Sequence, residues 1–259
     1  MASHYIVFDK DNGIGWIRFN RPDKLNALNS QVFQELEAAV AACEGDDDVR
    51  VVVLTGSAKV FVAGADIGQM ATADVADVTR FIDIGMRAQE RLAELSKPTI
   101  AMISGYALGG GLEVALCCDF RIAATNAVLG LPEITLGIIP GGGGTQRLSR
   151  LINYSKAAEL VMTGEMIPAD QAEKLGILNK VVAPDELEEA VKAFAAKLIK
   201  QPAMALRAAK SAMRRGLGVS LKDGLHIEQD CFCMLFGTVD QKEGMAAFLE
   251  KRKAKFIGR

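Results

Sequence analysis

The sequence predicts an α/β fold with a mostly parallel core followed by a helical C-terminal region. Through most of the 259 residues, short apolar runs alternate with longer segments of helical periodicity, an order typical of strands joined by crossover helices. From Asp185 onward helix follows helix, with breaks at Pro202 and Gly216. We therefore divide the chain into a core at residues 1–195 and a helical region at residues 196–259.

The N-terminal elements follow from the apolar pattern. Tyr5–Phe8 and the alternating segment Ile14–Phe19 flank a turn at Asp11–Gly13, which predicts a β-hairpin. Apolar residues at helical spacing predict a helix over Ser30–Cys43. The uninterrupted apolar run Val49–Leu54 predicts a strand that is buried on both faces.

Later elements continue the same alternation. Helical periodicity predicts a helix over Val75–Leu95, followed by strands at Thr99–Ile103, Phe120–Ala124 and Val128–Leu129. In the C-terminal region only Cys231–Phe236 suggests a strand. A helical region of about 60 residues buries little apolar surface alone, so we expect it to pack on the core or on another subunit.

Charge and hydropathy exclude several classes of partner. The 30 Lys and Arg residues nearly balance the 32 Asp and Glu residues, and the net charge is −2. Because no basic patch carries interleaved aromatic residues, we expect no nucleic-acid partner and no attraction to an anionic membrane. No run approaches about 20 apolar residues and no signal-peptide pattern opens the chain, so we expect a soluble, cytoplasmic protein.

Histidine and cysteine usage argues against metal chemistry. The only histidines are His4, near the N terminus, and His226, which stands alone in an amphipathic stretch. Cysteine shows no Cys-x-x-Cys spacing, so we expect neither a metal site nor a disulfide framework. The cysteines are expected to be small buried apolar residues; they are Cys43, Cys117, Cys118, Cys231 and Cys233.

Glycine is concentrated in the middle of the chain. Ten of the 25 glycines lie within residues 105–144, including Gly109–Gly111 and Gly141–Gly144. Glycine runs beside apolar strands indicate a close approach of the backbone, either to a ligand or to a packed element. Neither run completes a phosphate-binding loop or the dinucleotide-binding fingerprint.

Two segments offer backbone N–H groups. Gly109–Gly111 lead into a predicted helix at Leu112, and the first N–H groups of a helix are unpaired, so they could stabilise an oxyanion. The small residues of Ala63–Ile67 would also let backbone N–H groups meet a ligand, and Asp66 could cap a helix there.

Two glutamates interrupt apolar sequence beside these glycines. Glu113 follows Gly109–Gly111, and Glu133 lies in the stretch Leu129–Ile134. A carboxylate in an apolar setting is costly unless it is paired or functional. Either glutamate alone is as well explained by helix capping or an ion pair, but their coincidence with the glycine loops favours an acid–base pair.

The sequence resembles the enoyl-CoA hydratase/isomerase (crotonase) superfamily over nearly the whole chain, and its hydratases most of all. Five segments in the right order make the resemblance specific. They are Asn20–Pro22 with Leu25–Leu28, Phe61–Ile67 (FVAGADI), Gly105–Glu113 (GYALGGGLE), Leu131–Arg147 (LPEITLGIIPGGGGTQR) and Glu243–Arg252. The resemblance implies a crotonase-like spiral of ββα units as the catalytic core, followed by a C-terminal helical trimerisation region.

The resemblance also implies an activity, which is the reversible addition of water to a short- or medium-chain 2-enoyl-CoA in fatty-acid metabolism. The thioester oxygen would accept hydrogen bonds from the N–H groups of Ala65 and Gly110, an arrangement that stabilises an enolate. Glu113 would activate water, and Glu133 would transfer a proton at C2. Gly141 would supply a backbone contact near the water and Glu133.

Coenzyme A enters as part of the substrate, and no other cofactor is implied. The family resemblance matches its binding positions to Lys24, Leu25, Ala27, Ala63, Asp66 and Ile67. A neighbouring subunit would close the site with Phe232, Phe248 and Lys251, in a homotrimer or a homohexamer made of two trimers. Lys24 is equally explained as a solvated charge, and the two phenylalanines as core residues.

Two alternatives stay open. A Δ3,Δ2-enoyl-CoA isomerase needs the oxyanion donors and one base but no paired water site, so the presence of both Glu113 and Glu133 favours hydration. A non-catalytic member that binds coenzyme A or RNA is disfavoured because both carboxylates and both donor positions are present and the charge balance is not basic.

Overall fold

The computed structural model describes residues 5–258, which form ten strands and eleven α-helices. The strands are β1 (Ile6–Asp11), β2 (Ile14–Phe19), β3 (Val51–Thr55), β4 (Val60–Val62), β5 (Thr99–Ile103), β6 (Tyr106–Leu108), β7 (Phe120–Ala124), β8 (Val128–Gly130), β9 (Met166–Pro168) and β10 (Lys180–Val182). The first helices are α1 (Ser30–Gly45), α2 (Ile67–Met70), α3 (Val75–Glu94), α4 (Gly110–Cys117), α5 (Gly144–Leu151), α6 (Tyr154–Thr163) and α7 (Ala169–Lys174). The C-terminal helices are α8 (Leu187–Ile199), α9 (Ala203–Gly216), α10 (Leu221–Leu235) and α11 (Val239–Leu249).

A six-stranded sheet in the order β1-β2-β3-β5-β7-β10 forms the first layer. Its N-terminal hairpin is confirmed: β1 and β2 pair antiparallel, with Asp11 opposite Ile14 across a turn whose Asn12 and Gly13 have φ of 51° and 80°. All later neighbours in this sheet pair parallel. Every residue of β3 is buried, as its uninterrupted apolar run predicts.

Of a second sheet, in the order β4-β6-β8-β9, the sequence predicts only one strand, Val128–Leu129, which forms most of β8. The strands of this sheet have only three residues each, too few for an alternating pattern to be recognised. β4, β6 and β8 each follow a strand of the first sheet after a few residues and lead toward a helix, so the chain repeats a ββα unit. These three strands pair parallel, which brings the segments after them to one edge of the sheet.

The chain divides into two compact units. The first ends at Lys192, and the second begins at Ala193 and also includes Ser96–Pro98. The second unit contains α9, α10 and α11, in agreement with the succession of helices that the sequence predicts in this region. The strand predicted at Cys231–Phe236 is wrong: its first five residues belong to α10, which begins with the side chain of Ser220 accepting a hydrogen bond from the Asp223 N–H.

The cysteine prediction is correct for three positions only. Cys43, Cys117 and Cys118 are buried, whereas Cys231 is partly exposed and Cys233 exposed on α10. All five are free thiols. His226 is exposed on α10, and His4 lies outside the described residues.

Candidate active site

Three segments meet at the edge where β4, β6 and β8 end. Ala63–Asp66 follow β4, Gly109 follows β6, and Leu131 follows β8. Together with α3 and the Gly141–Gly142 segment they enclose an apolar cavity of about 200 Å³. It is lined by Leu28, Phe33, Ala63, Gly64, Ala65, Ile67, Met70, Phe81, Ile82, Gly85, Met86, Gln89, Gly109, Gly110, Glu113, Pro132, Glu133, Leu136, Ile138, Ile139, Gly141 and Gly142. The parallel strands β4, β6 and β8 therefore bring both predicted glutamates and both predicted donors to one cavity.

Glu113 lies in the first turn of α4, and its side chain is 4% exposed. Its Oε1 accepts hydrogen bonds from the N–H groups of Gly142 and Gly144, each at 2.8 Å. Burial raises the pKa of Glu113, while those two N–H donors and the charge of Arg147 oppose the rise. Neither donor binds Oε2, which lies beside the cavity-lining glycines, since a Cβ would lie 2.7 Å from it at Gly142 and 3.9 Å from it at Gly110.

Glu133 lies in a short 3-10 helix, Pro132–Leu136, that begins with proline. Burial raises the pKa of Glu133 to about 7, and the nearby charge of Glu113 adds to the rise. Its Oε2 is buried and has no hydrogen-bond partner among residues 5–258. Gly109 lets this carboxyl approach, since a Cβ there would lie 2.9 Å from Glu133 Oε1.

Ala65 and Gly110, the two predicted oxyanion donors, both line the cavity. Leu28 bridges this loop by donating to the Gly64 carbonyl at 2.8 Å and accepting from the Asp66 N–H at 2.7 Å. In this parallel pairing Leu28 binds the carbonyl of Gly64 and the N–H of Asp66, so the N–H of Ala65 between them points away from Leu28. Gly110 is the first residue of α4, where an N–H has no partner within the helix. A Cβ on Gly110 would lie 3.7 Å from the Ala65 nitrogen, so the two donors are neighbours.

The glycine run after Pro140 has a role that the sequence does not reveal. Gly141, which the resemblance implies as a backbone contact near the water and Glu133, lines the cavity. Its neighbours Gly142 and Gly144, however, hold the carboxylate of Glu113. Their lack of side chains is required, since a Cβ would lie 2.7 Å from Glu113 Oε2 at Gly142 and 2.9 Å from Oε1 at Gly144.

The positions matched to coenzyme A in the first unit differ in their surroundings. Ala63 and Ile67 line the cavity. Leu25 lies next to Ala63, because the Leu25 carbonyl accepts a hydrogen bond from the Ala63 N–H at 3.1 Å. Lys24 and Leu25 are exposed, and Leu25 adopts a left-handed backbone with φ of 51°. Ala27 is partly buried.

Asp66 caps α2, as predicted, by accepting a hydrogen bond from the Gly68 N–H at 3.0 Å. Its other oxygen pairs with the Arg21 guanidinium at 2.7 Å, which lowers the pKa of Asp66. Arg21 also donates to the Ala27 carbonyl at 3.0 Å. The carboxylate of Asp66 therefore fixes the loop that carries Ala65.

In the second unit, Phe232 is 60% exposed, Phe248 is 83% exposed and Lys251 is exposed. Neither phenylalanine is a core residue of this chain. Such large exposed apolar side chains are typical of surfaces that contact another molecule.

Sequence reasoning missed Gln89 and Arg147. Gln89 lines the cavity and is 2% exposed. Arg147 supports the carboxylate form of Glu113 by its charge. Met70, Phe81 and Met86 also line the cavity, whereas Leu116 is buried and does not line it. Within residues 5–258 there is no cluster of three or more potential metal ligands and no helix long and apolar enough to cross a membrane.

Fold and site together define an enzyme that combines a buried carboxyl group, Glu113, and a partly buried one, Glu133, with backbone donors on a ββα scaffold. The family model described as enoyl-CoA hydratase/isomerase matches residues 9–259. A crotonyl-CoA hydratase of Syntrophomonas wolfei is 44% identical over all of both chains. A short-chain-enoyl-CoA hydratase of Clostridium acetobutylicum is 42% identical, covering 98% of this chain and 97% of the other.

Solved structures agree with these relatives. The crystal structure of an enoyl-CoA hydratase from Bacillus anthracis matches with a TM-score of 0.94 at 39% identity and covers 98% of this chain and all of that one. The chain belongs to the enoyl-CoA hydratase/isomerase family, the crotonase superfamily. The predicted crotonase-like fold is thereby confirmed.

Proposed function

We propose that this chain is an enoyl-CoA hydratase that adds water reversibly across the C2–C3 double bond of a short- or medium-chain 2-enoyl-CoA to give 3-hydroxyacyl-CoA. Whole-length relatives that are named hydratases support the reaction class. The observation that carries the proposal is one apolar cavity that is lined by both glutamates and by Ala65 and Gly110, the two residues whose N–H groups are the proposed donors. An isomerase would need only one of those carboxyl groups.

The N–H groups of Ala65 and Gly110 are the proposed oxyanion donors. They would bind the thioester oxygen, which gains negative charge when C3 is attacked and an enolate forms. Because the donors are fixed by the Leu28 bridge and by the start of α4, little reorganisation is needed as the charge develops.

Glu113 is the proposed base and Glu133 the proposed acid. Two fixed N–H groups favour the carboxylate form of Glu113, whose Oε2 would take a proton from water as the water oxygen bonds to C3. Glu133 has a pKa of about 7, and its Oε2 has no hydrogen-bond partner among the described residues, so it would deliver its proton to C2. Transfer of the gained proton from Glu113 back to Glu133, directly or through water, would restore the pair.

Coenzyme A is proposed to bind as part of the substrate along Lys24, Leu25, Ala27 and the Ala63–Ile67 loop, with no other cofactor. Exposed apolar residues on α9 and α10, among them Met213, Leu221 and Phe232, support association into a homotrimer or a homohexamer. In that assembly, Phe232, Phe248 and Lys251 of a neighbouring subunit would close the coenzyme A site. Light scattering of the intact protein measures this mass, and a monomer would contradict it. A cytoplasmic location remains a proposal from the sequence.

Substitution of each glutamate tests the chemistry. Glu113→Gln and Glu133→Gln should each lower kcat/KM for crotonyl-CoA hydration by at least about 10²-fold, the scale of general acid–base catalysis. The assay follows loss of the conjugated enoyl chromophore. Glu90→Gln is a matched control, because Glu90 is exposed on α3 and does not line the cavity.

The outcomes separate the candidate functions. Wild-type turnover in both glutamine variants would overturn the hydratase proposal. Conversion of a 3-enoyl-CoA without hydration of crotonyl-CoA would favour the isomerase. Strong salt-sensitive retention of RNA, with no turnover of either thioester, would favour the non-catalytic binding protein.

A further inference from the structure

Gln89 is the one polar side chain lining the cavity of the described chain that the proposed two-glutamate mechanism does not use. It lies on α3 and is 2% exposed, among apolar neighbours such as Ala88 and Leu92. A buried amide without a complete set of partners is costly, by roughly 1–3 kcal/mol for an unmade hydrogen bond. Its presence therefore requires a partner or a function.

The nitrogen end of the Gln89 amide lies nearer the Gly142 segment, since a Cβ on Gly142 would lie 2.6 Å from Nε2 and 3.1 Å from Oε1. Oε1 lies 3.7 Å from the Cys117 thiol, whose shorter contact, at 3.2 Å, is with the Glu113 carbonyl. The amide nitrogen Nε2 carries two N–H donors. Nε2 donates no hydrogen bond to any residue from 5 to 258.

Nε2 and the free oxygen of Glu113 flank the same point of the cavity wall. A Cβ on Gly142 would lie 2.6 Å from Gln89 Nε2 and 2.7 Å from Glu113 Oε2. The absence of a side chain at Gly142 is what allows the amide and the carboxylate to come this close. An oxygen atom beside them can donate a hydrogen bond to Oε2 and accept one from Nε2 at the same time.

We infer that Gln89 Nε2 binds the oxygen that is joined to C3, as water in the hydration direction and as the 3-hydroxyl group in the reverse direction. The inference rests on the proposed function, because Glu113 Oε2 must contact that same oxygen to remove its proton. Gln89 thus helps to place the oxygen at C3, while the proton still passes to Glu113. An amide at this position distinguishes ligands that carry the C3 oxygen from ligands that lack it.

Gln89→Met tests the contact, since methionine keeps the length of the side chain and removes its N–H donors. The expected loss is about tenfold in kcat/KM for crotonyl-CoA hydration, the scale of one hydrogen bond. The inhibition constant of 3-hydroxybutyryl-CoA should rise by a similar factor. That of butyryl-CoA, which has no C3 oxygen, should change by less than about twofold. Met86→Leu is the control, because Met86 lines the cavity from the same helix without a polar group.

Each outcome decides a different point. Equal weakening of 3-hydroxybutyryl-CoA and butyryl-CoA in Gln89→Met would overturn the inference, because it would show a general disturbance of the pocket. A lower kcat with both inhibition constants unchanged would also overturn it, since Gln89 would then act only by orienting Glu113. Failure of the wild-type protein to hydrate crotonyl-CoA would instead refute the proposed function.

Discussion

The two glycine-rich segments of the first unit begin in the same way and end in different uses. Gly109 and Gly143 each come directly before a helix, and both glycines have a positive φ, 51° and 102°. Gly110 then lines the cavity, and its N–H has no acceptor within α4, whereas the N–H groups of Gly142 and Gly144 are bound by Glu113. One segment keeps its donors for a ligand, and the other uses them to hold a side chain. The difference lies in Glu113, a residue of the first helix that reaches the second segment.

Removing the donor of the first segment should have the largest effect. Gly110→Pro deletes the N–H at the first residue of α4, a position where a helix tolerates proline. We expect kcat/KM for crotonyl-CoA to fall about 10²–10³-fold, the usual cost of one oxyanion donor. Gly110→Ala is the control, since it keeps the N–H and adds a Cβ that would lie 3.0 Å from the movable end of Leu28. Similar losses in both variants would point to steric damage.

Disturbing the second segment should have a smaller effect. In Gly144→Ala the new Cβ would lie 2.9 Å from Glu113 Oε1 and 2.8 Å from Pro140 Cβ, so the segment must shift and its N–H bonds to the carboxylate weaken. We expect a loss of roughly 10- to 100-fold in kcat, within the range of general acid–base effects. Gly45→Ala, where no atom would lie within 4 Å of the new Cβ, should leave kcat unchanged. An unaffected kcat in Gly144→Ala would show that the clamp on Glu113 is dispensable.

The smallest expected effect is in the pH profile, which distinguishes Glu133 from Glu113, the glutamate that the N–H groups of Gly142 and Gly144 hold. The pKa of Glu133 is raised from 4.5 to about 7, so its proton is present below that pH and is lost above it. Since this proton is needed at C2, kcat/KM should decline above pH 7 and be lower by about tenfold one pH unit beyond the midpoint. Glu133→Gln should abolish this decline in its residual activity. A flat profile through pH 9 in the wild-type protein would contradict the assignment.

Much of the first sheet follows from the sequence because its strands are long or framed by turns. The strand at Thr99–Ile103 is predicted to the residue, and the helix at Ser30–Cys43 to within two residues. The second sheet is not predictable in this way, since its three-residue strands are defined only by pairing with one another. The apolar run Cys231–Phe236 misleads because a short apolar run does not distinguish a strand from a helix.

The candidate site is predictable where glycine and glutamate stand out against apolar sequence. Glu113 and Glu133 are such cases, and the cavity contains both. Gln89 carries no comparable signal, because a polar residue in an amphipathic helix is ordinarily exposed and only the packing of α3 shows that it is buried. The binding of Glu113 by Gly142 and Gly144 depends on contacts 29 and 31 residues apart, which no local pattern encodes.

The segments that hold this site are widely separated along the chain, which has a consequence for folding. The Ala65 loop is fixed by Arg21 and Leu28, and Glu113 gains its backbone donors only when Gly142 and Gly144 are in place. Contacts of this range form late, because the chain must close long loops before they contribute. A nascent chain that ends before residue 142 lacks both of the N–H donors that bind Glu113 in the native fold. Catalytic competence therefore arises at the end of folding, and recovery of hydratase activity after denaturation reports completion of the native fold.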